Sequence, residues 1–210
     1  VEQLGDPDAV LVLDETGFVK KGDRSAGVQR QDTGTAGKQE NCQVAVLLAY
    51  AAPGGVALVD RDLYLPKSWT DDRARCRATG IPDEVGFQTK PQLGQVMLER
   101  ALAAGVPSGW VTGDTVYGGD RRLRVWLEEH AIRHVMAVKC TEPVWALTDR
   151  GPGQVAAQDP GRRGRARAVA AAERRGWQQG QAVLRLDQGA AVALGLAGQR
   201  GLLAAGSPQP

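Results

Sequence analysis

Residues 9–14 read AVLVLD, a short apolar run that ends directly on Asp14. Its length and its aliphatic, β-branched composition predict a buried strand. A second short run at residues 110–112 (WVT) leads through one glycine to Asp114, and it predicts another strand. Two aspartates therefore follow two predicted strands, and the other elements decide whether those strands lie side by side.

Hydrophobic spacing and turn residues predict the remaining elements. Residues 17–38 are polar and glycine-rich, so we expect a long loop or a loosely paired ribbon there, and residues 66–86 predict an irregular segment. The first three predicted strands are at 9–13, 43–50 and 56–64, and a Pro-Gly-Gly turn joins the last two. A helix at 90–104 and a strand at 110–112 follow. The last two elements are a helix from Asp120 to about His130 and a strand at 134–140.

This order of elements predicts the fold class. Three strands with a hairpin, followed by helix, strand, helix and strand, is the order of an RNase H-like α/β domain, in which helices flank a mixed sheet. In that topology the first and fourth strands are neighbours. The Asp14 and Asp114 carboxylates should therefore converge.

Two converging carboxylates repel each other unless a cation neutralises them. Mg²⁺ is suited to such a site because it is held by one or two carboxylates together with water and phosphate oxygens. A pair of such ions can activate a hydroxyl and stabilise a leaving oxygen in phosphodiester chemistry. A purely structural interpretation stays open, in which Asp14 is a turn residue at a strand end and Asp114 is a loop or cap residue.

Five strings of the sequence resemble the catalytic domain of bacterial insertion-sequence transposases of the insertion sequence 701 type. They are LVLDETGF (residues 11–18), QDTGTAGKQENCQVAV (31–46), LYLPKSWTDD (63–72), RCRATGIPDEVGFQTKP (75–91) and WVTGDTVYGGD (110–120). The resemblance extends over residues 1 to about 158 without large gaps.

The resemblance implies an RNase H-like DDE nuclease and strand transferase that acts on transposon-end DNA with Mg²⁺ or Mn²⁺. The family's first catalytic aspartate falls on Asp14 and its second on Asp114, and both would bind the metal. Its third acid, a glutamate on a later helix, has no counterpart in this sequence. Glu15 and Asp120 lie close to the pair in sequence, but neither is assigned to that role.

Composition excludes several classes of protein. Hydrophobic residues make up 42% and charged residues 24% of the 210 residues, which is ordinary for a globular protein. No apolar run is long enough for a membrane helix, and the N-terminus shows no signal peptide, so we expect a cytoplasmic protein with no membrane partner. Cys42, Cys76 and Cys140 are few and far apart, which fits reduced thiols.

Residues 159–210 differ abruptly from the residues before them. They hold eight arginines, no lysine and three acids, whereas residues 1–158 hold 18 basic and 21 acidic side chains. A natural low-complexity linker is one interpretation. A frameshift in the gene near the codon for Gln158 explains more. When the codons of the tail are read in the frame one base later, permitted codons give stretches such as WQRRSAGAGSKG and SYDWTRV, which resemble the continuation of the family's sequence.

The frameshift hypothesis divides the chain into a partial catalytic domain at 1–158, incomplete at its C-terminal side, and a tail at 159–210. The tail should be poorly ordered, because wrong-frame sequence has not been selected for core packing. An isolated helix is expected near residues 165–175. The tail's apolar side chains should not be packed against the body; these are Val183, Leu184 and Leu186.

Three weaker signals are each assigned to structure rather than to binding. Residues 34–38 (GTAGK) have the wrong spacing for a phosphate-binding loop. His130, His134 and Cys140 are poor zinc ligands, because they straddle a helix end and no fourth ligand is evident. Three arginines on the second helix could contact DNA phosphates, but a solvated helix face is favoured; they are Arg121, Arg122 and Arg124.

Three functional hypotheses follow. The first is a transposase catalytic fragment that is inactive because the third acid is absent. The second is a non-catalytic remnant that folds and could associate as a homo-oligomer, or with an intact transposase and interfere with it. The third is an unrelated RNase H-like nuclease that is complete in itself, and the absent third acid and the abrupt tail argue against it.

Overall fold

The computed structural model describes residues 4–33, 38–139, 141–148, 151–156 and 190–195. Its strands are β1 (Val10–Val19), β2 (Gln29–Thr33), β3 (Lys38–Ala52), β4 (Gly55–Tyr64), β5 (Trp110–Gly113), β6 (His134–Lys139), β7 (Pro143–Thr148), β8 (Gly151–Ala156) and β9 (Ala190–Gly195). Its helices are α1 (Lys67–Thr70), α2 (Arg73–Ala78), α3 (Lys90–Ala103), α4 (Thr115–Gly118) and α5 (Arg121–Glu129).

Seven of these strands form one mixed sheet in the order β2-β3-β1-β5-β6-β9, with β4 paired to β3. The β1–β5 and β5–β6 pairs are parallel, and the other pairs are antiparallel. The 15-residue strand β3 carries β2 along its first residues and β4 along its last. The fold class is thus an α/β mixed sheet with flanking helices, as the sequence predicted.

One hydrophobic core lies between the sheet and helices α3, α4 and α5. Alternate residues of β1 and β3 face it, and the helices contribute aliphatic side chains at helical spacing. Its fully buried members include Leu11, Leu13, Val46, Leu48, Met97, Leu98, Tyr117, Leu123, Leu127 and Met136. This core holds the ends of β1 and β5 rigidly against the helices.

The helix α3 has a well-defined start and end. Thr89 and Gln92 form a capping box, in which each side chain accepts a hydrogen bond from the other residue's backbone N–H. Pro91 lies in the first turn, where a missing N–H is tolerated. Gly105, with a φ of 68°, follows the end of the helix, in the left-handed conformation common at that position. These signals explain why the sequence predicted this helix closely.

Several predicted boundaries differ from the structure. The first strand does not end at Asp14, because β1 pairs with β3 as far as Val19. The segment 17–38 resembles the predicted paired ribbon, since it continues β1 and then forms β2. The segment 66–86 is not wholly irregular: α1 and α2 form there because Trp69 and Cys76 are buried in a small second cluster with Val28. The Trp69 indole N–H donates to the Val28 carbonyl at 2.9 Å.

The segment beyond residue 140 also departs from expectation. The hairpin β7–β8 was not predicted from the sequence. Ala190–Gly195, within the expected tail, pairs antiparallel with β6 as an edge strand. The physical reason is that β6 otherwise presents a row of free backbone groups, which the backbone of another strand can pair with. The other tail residues, including the predicted helix at 165–175, lie outside the described residues.

Two further observations concern the expected environment of the chain. Among the described residues, every helix is too short or too polar to cross a membrane. Cys42 and Cys76 are buried free thiols, and burial raises the pKa of Cys42. Cys140 lies outside the described residues.

Candidate two-carboxylate metal site

The two predicted aspartates follow paired positions on neighbouring parallel strands. The β1–β5 ladder pairs Leu13 with Gly113 and ends there, so Asp14 and Asp114 are the next residues on each chain. Neighbouring strands lie about 4.8 Å apart, and residues at matching parallel positions point to the same side. The structure therefore brings the two side chains to one end of the sheet.

Asp114 lies where β5 ends and the single-turn helix α4 begins. Its Oδ1 accepts a hydrogen bond from the Val116 N–H at 2.8 Å, which makes it the N-cap of α4. This agrees with the structural interpretation that Asp114 is a cap. The cap occupies one carboxylate oxygen, and its geometry fixes the direction of the other.

Asp14 is exposed within β1, opposite Leu47 of β3. Its Oδ1 accepts a hydrogen bond from the backbone N–H of Glu15 at 2.8 Å. Each aspartate of the pair is thus oriented by local backbone N–H groups, Asp14 by that of Glu15 and Asp114 by those of Val116 and Tyr117. Asp14 retains a carboxylate oxygen outside the described hydrogen bonds.

The electrostatics of the pair are unfavourable without a cation. Partial desolvation raises the pKa of Asp114 above its ordinary value, the Val116 N–H opposes that rise, and the charges of Glu15 and Asp14 raise it further. The ionised carboxylates therefore interact through space. A divalent cation would reverse this interaction, because it favours the charged form of every nearby carboxylate.

Glu15 is an acidic residue at the site to which the sequence assigned no role. It follows Leu11 and Leu13 at the two-residue period that faces the helices, so its side chain enters the protein. Its Oε1 lies 2.7 Å from the Nζ of Lys90, and the two side chains are only 16% and 20% exposed. The alternation of inward-facing residues along β1, continued from Leu11 and Leu13, is the sequence signal that could have predicted the inward position of Glu15.

Tyr117 lies beneath the three carboxylates. The side chain is fully buried, and its hydroxyl has no hydrogen-bond partner; the Oε2 of Glu15 is likewise buried without one. Burial raises the pKa of Tyr117, and Glu15, Asp114 and Asp14 raise it further. The hydroxyl is therefore within the field of all three acids, and it lies close enough to the Glu15 carboxylate for a weak contact that falls short of a full hydrogen bond.

Glycines allow the ring of Tyr117 to reach this position. A Cβ on Gly94 of α3 would lie 3.3 Å from the ring, and one on Gly113 would lie 3.0 Å from the Tyr117 Cβ. A Cβ on Gly118 would overlap the carbonyl oxygen of Ala137 in β6. The turn after β5 is therefore pressed against both α3 and the sheet.

The arginines of α5 have separate positions. The Arg124 guanidinium donates to the Gly118 carbonyl and, at 2.9 Å, to the Glu142 carboxylate, so it braces α4. Arg121 and Arg122 are exposed and line a groove of about 350 Å³ together with Thr89 and Gln92 of the α3 start. Thr89, which lines this groove, adjoins Lys90, and Gly119, which also lines it, follows α4. Arg121 and Arg122 therefore fit the hypothesis of phosphate contact better than Arg124 does.

The remaining weak signals lie apart from the acids. The Nδ1 of His130 lies 2.8 Å from the Trp126 carbonyl oxygen, and that of His134 lies 3.0 Å from the Ile132 carbonyl oxygen. In the part of the chain that the structure describes, no three His, Cys, Asp or Glu side chains are arranged to hold a metal ion. Residues 34–37 of the glycine-rich loop lie outside that part.

This sheet order, with two aspartates after matching positions of adjacent parallel strands, defines an RNase H-like fold with a candidate metal-dependent phosphodiester site. Residues 1–195 match a family model described as DDE superfamily endonuclease. The chain belongs to that family, whose members depend on divalent metal ions. The match continues past residue 158, to which the sequence resemblance extended.

The chain is also similar to a curated protein from Microchaete diplosiphon, named "Probable transposase for insertion sequence element IS701". The two are 28% identical over 140 residues, which is 66% of this chain. The matched region spans 34% of that relative, about a third of its length. This comparison agrees with the resemblance to insertion-sequence transposases.

Proposed function

We propose that this chain carries part of the catalytic centre of a DNA transposase, with Asp14 and Asp114 as two of its three metal-binding carboxylates. The observation that carries the proposal is the β1–β5 register, in which both aspartates follow the Leu13–Gly113 pair. The raised pKa of Asp114 supports it, because Glu15 and Asp14 contribute to that rise. The substrate would be transposon-end DNA.

The residues present fit Mg²⁺ or Mn²⁺. Asp14 keeps one oxygen outside the described hydrogen bonds, and Asp114 accepts from backbone N–H groups at the start of α4. Hard divalent ions accept one or two such carboxylates with water and phosphate oxygens as the other ligands. When bound, such ions would activate a water or 3′-hydroxyl and stabilise the leaving oxygen. Asp14 would bind from β1 and Asp114 from the start of α4. The exposed guanidiniums of Arg121 and Arg122 would bind a DNA phosphate in the adjoining groove.

We propose further that the 210-residue chain by itself neither cleaves nor joins DNA. Residues 159–210 contain no acid that the resemblance assigns to the third position, and Glu15 is already paired with Lys90. Loss of one member of a catalytic unit lowers the rate by orders of magnitude, because its members act together. The arginine-rich tail would give at most weak, salt-sensitive binding without sequence preference.

The experiment compares three proteins with Mg²⁺ or Mn²⁺ and transposon-end DNA. They are the 210-residue chain, a version in which the reading frame is restored after codon 158, and that version with Asp14→Ala. We expect strand cleavage by the frame-restored protein only. Cleavage by the short chain that disappears on Asp14→Ala would overturn the proposed inactivity, and no cleavage by any protein would count against the transposase assignment.

A second candidate is a folded, non-catalytic remnant that associates with itself or with an intact transposase. The observation that favours it is the exposed apolar surface of β4, where Val56, Leu58 and Val59 are 73%, 56% and 42% exposed. Exposed apolar patches are common at association surfaces. Light scattering of the purified chain and of its Leu58→Lys variant tests this. A monomer in both cases excludes self-association through β4.

A further inference from the structure

We infer that Glu15, Lys90 and Tyr117 form a buried positioning cluster for the carboxylate pair, and that Glu15 is its central residue. This inference rests on the proposed function, since it concerns divalent-metal binding by Asp14 and Asp114. The resemblance assigns no role to these three residues. They act through the aspartates and not as metal ligands.

The first step of the argument concerns Glu15 and Asp14. The Glu15 backbone N–H donates to the Asp14 Oδ1, so the position of Glu15 sets the orientation of the first aspartate. Its side chain, 16% exposed, is held by Lys90 at 2.7 Å. Lys90 is the first residue of α3, so this ion pair fastens the exposed part of β1 to a helix 75 residues away.

The second step concerns charge. An isolated third carboxylate beside Asp14 and Asp114 would increase their repulsion, whereas the Lys90 ammonium offsets it at close range. Asp14, Asp114, Glu15 and Lys90, when all are ionised, together carry two negative charges, which balance the two positive charges of one divalent cation. The ion pair therefore permits a third acid near the site without adding to its net charge.

The third step concerns the two buried polar atoms without partners. Leaving a buried hydroxyl or carboxylate oxygen unpaired is costly, and such groups are rare outside functional sites. The Tyr117 hydroxyl and the Glu15 Oε2 are both of this kind, and the hydroxyl lies in the field of all three carboxylates. A phenylalanine would fill the same space without the cost. The tyrosine is thus better explained by support of the charged site than by packing.

The test is Mn²⁺ binding to the 210-residue chain, followed by the electron paramagnetic resonance of free Mn²⁺, with thermal unfolding of each variant measured in parallel. Residues that orient metal ligands usually change affinity by about 10- to 100-fold when altered. We expect Glu15→Gln to weaken Mn²⁺ binding about tenfold, because it leaves the Lys90 ammonium unpaired beside the cation. Lys90→Arg alone should preserve the ion pair with Glu15 and keep the affinity close to that of the unsubstituted chain.

The Tyr117→Phe variant distinguishes a role of Tyr117 in positioning the aspartates from a role in folding. It removes only a buried hydroxyl whose contact with Glu15 falls short of a full hydrogen bond, so the melting temperature should change little. Mn²⁺ binding should nevertheless weaken, by roughly threefold, which is less than the effect of about 10- to 100-fold that is usual for residues that hydrogen-bond a metal ligand directly. A residue with only a structural role would not lower affinity while leaving stability intact. Glu129→Gln, an exposed charge at the far end of α5, is the charge-matched control and should change neither quantity.

The outcomes separate the two proposals. Binding that Asp14→Asn abolishes but Glu15→Gln and Tyr117→Phe leave unchanged overturns the positioning cluster and retains the proposed site. Absence of Mn²⁺ binding by the unsubstituted chain overturns both. If Glu15→Gln fails to fold, Tyr117→Phe decides, because its ring fills the same buried space.

Discussion

The turn after β5 and the hairpin of β3 and β4 belong to one sheet, but their surroundings differ. In the turn, Gly113, Tyr117 and Gly118 are buried, and added atoms at either glycine would meet the core or the sheet. In the hairpin, Val56 and Leu58 are exposed, and a Cβ on Gly54 would meet only one side chain, at 3.5 Å. The same sheet therefore has a rigid end, the closely packed turn after β5, and a permissive end, the β3–β4 hairpin, where added atoms meet few neighbours.

The difference shows where the chain can hold unfavourable groups. The closely packed turn contains Asp114, with its raised pKa, and the unpaired hydroxyl of Tyr117. Strained or unsatisfied groups persist only where surrounding packing fixes them in place. The permissive hairpin has no such packing around its exposed residues, and polar groups there would simply turn to water. A metal site thus needs the rigid end of the sheet.

The largest expected effect is that of Gly118→Ala. The new Cβ would overlap the Ala137 carbonyl oxygen, so α4 would have to move away from β6. We expect a loss of about 3 kcal/mol or more in the free energy of unfolding, or failure to fold. The control is Gly54→Ala in the hairpin, which should change stability by less than about 1 kcal/mol. Urea unfolding measures both, and equal losses would remove the contrast between the two ends.

Local sequence signals predicted much of this architecture. The apolar runs before Asp14 and Asp114, the apolar spacing of α3 and the Asp120 cap of α5 act within a few residues, so their patterns are visible in the sequence. The parallel pairing of β1 and β5 then followed from the order of elements. For this reason the sequence also predicted that both aspartates would lie at one end of the sheet.

Other features depend on contacts that no local pattern reveals. The Lys90–Glu15 pair joins residues 75 positions apart. The helix α4 has only four residues, too few for a hydrophobic period, and it forms because Tyr117 is buried against the glycines. The extension of β1 to Val19 depends on pairing with β3, not on its own composition. Such features follow from tertiary packing, which overrides local propensity.

A cap at the rigid end tests its local contribution. The Asp120 Oδ1 accepts hydrogen bonds from the backbone N–H groups of Arg122 and Leu123 at 2.8 and 3.0 Å. We expect Asp120→Ala to lower the free energy of unfolding by about 1–2 kcal/mol. Asp120→Asn is the matched control, because asparagine caps as well as aspartate, and it should cost less than about 0.5 kcal/mol. Equal losses would mean that the charge, rather than the cap, is responsible.

Asp114→Asn should produce a smaller change, and one of opposite sign. The pKa of Asp114 is raised in the folded protein, so its protonated form is favoured there and the associated stability is lost as pH rises through that pKa. At neutral pH without metal, Asp114→Asn should therefore raise the melting temperature, since asparagine also caps helices. The gain should vanish below the ordinary pKa of aspartate. A gain that persists in acid, or a loss at neutral pH, would contradict the cause assigned to the shift.

The smallest effect is expected from Leu58→Thr in the permissive hairpin. Leu58 is 56% exposed on β4, and threonine is a β-branched residue that strands favour. The free energy of unfolding should change by less than about 0.5 kcal/mol. Leu48→Ala on the paired strand β3 is the contrast, because this fully buried side chain should cost about 2–5 kcal/mol.

A loss of more than about 1 kcal/mol for Leu58→Thr would mean that this surface is covered in solution, because an exposed substitution away from special features rarely costs that much. Repeating the unfolding measurement at two protein concentrations then shows whether a second copy or the same chain covers this surface of β4. If a second copy packs on β4, the unfolding midpoint depends on concentration and Leu58→Thr reduces that dependence. If the loss is the same at both concentrations, another part of the same chain covers β4. The hairpin would then be a buried interface, and the contrast with the turn after β5 would be one of packing density alone.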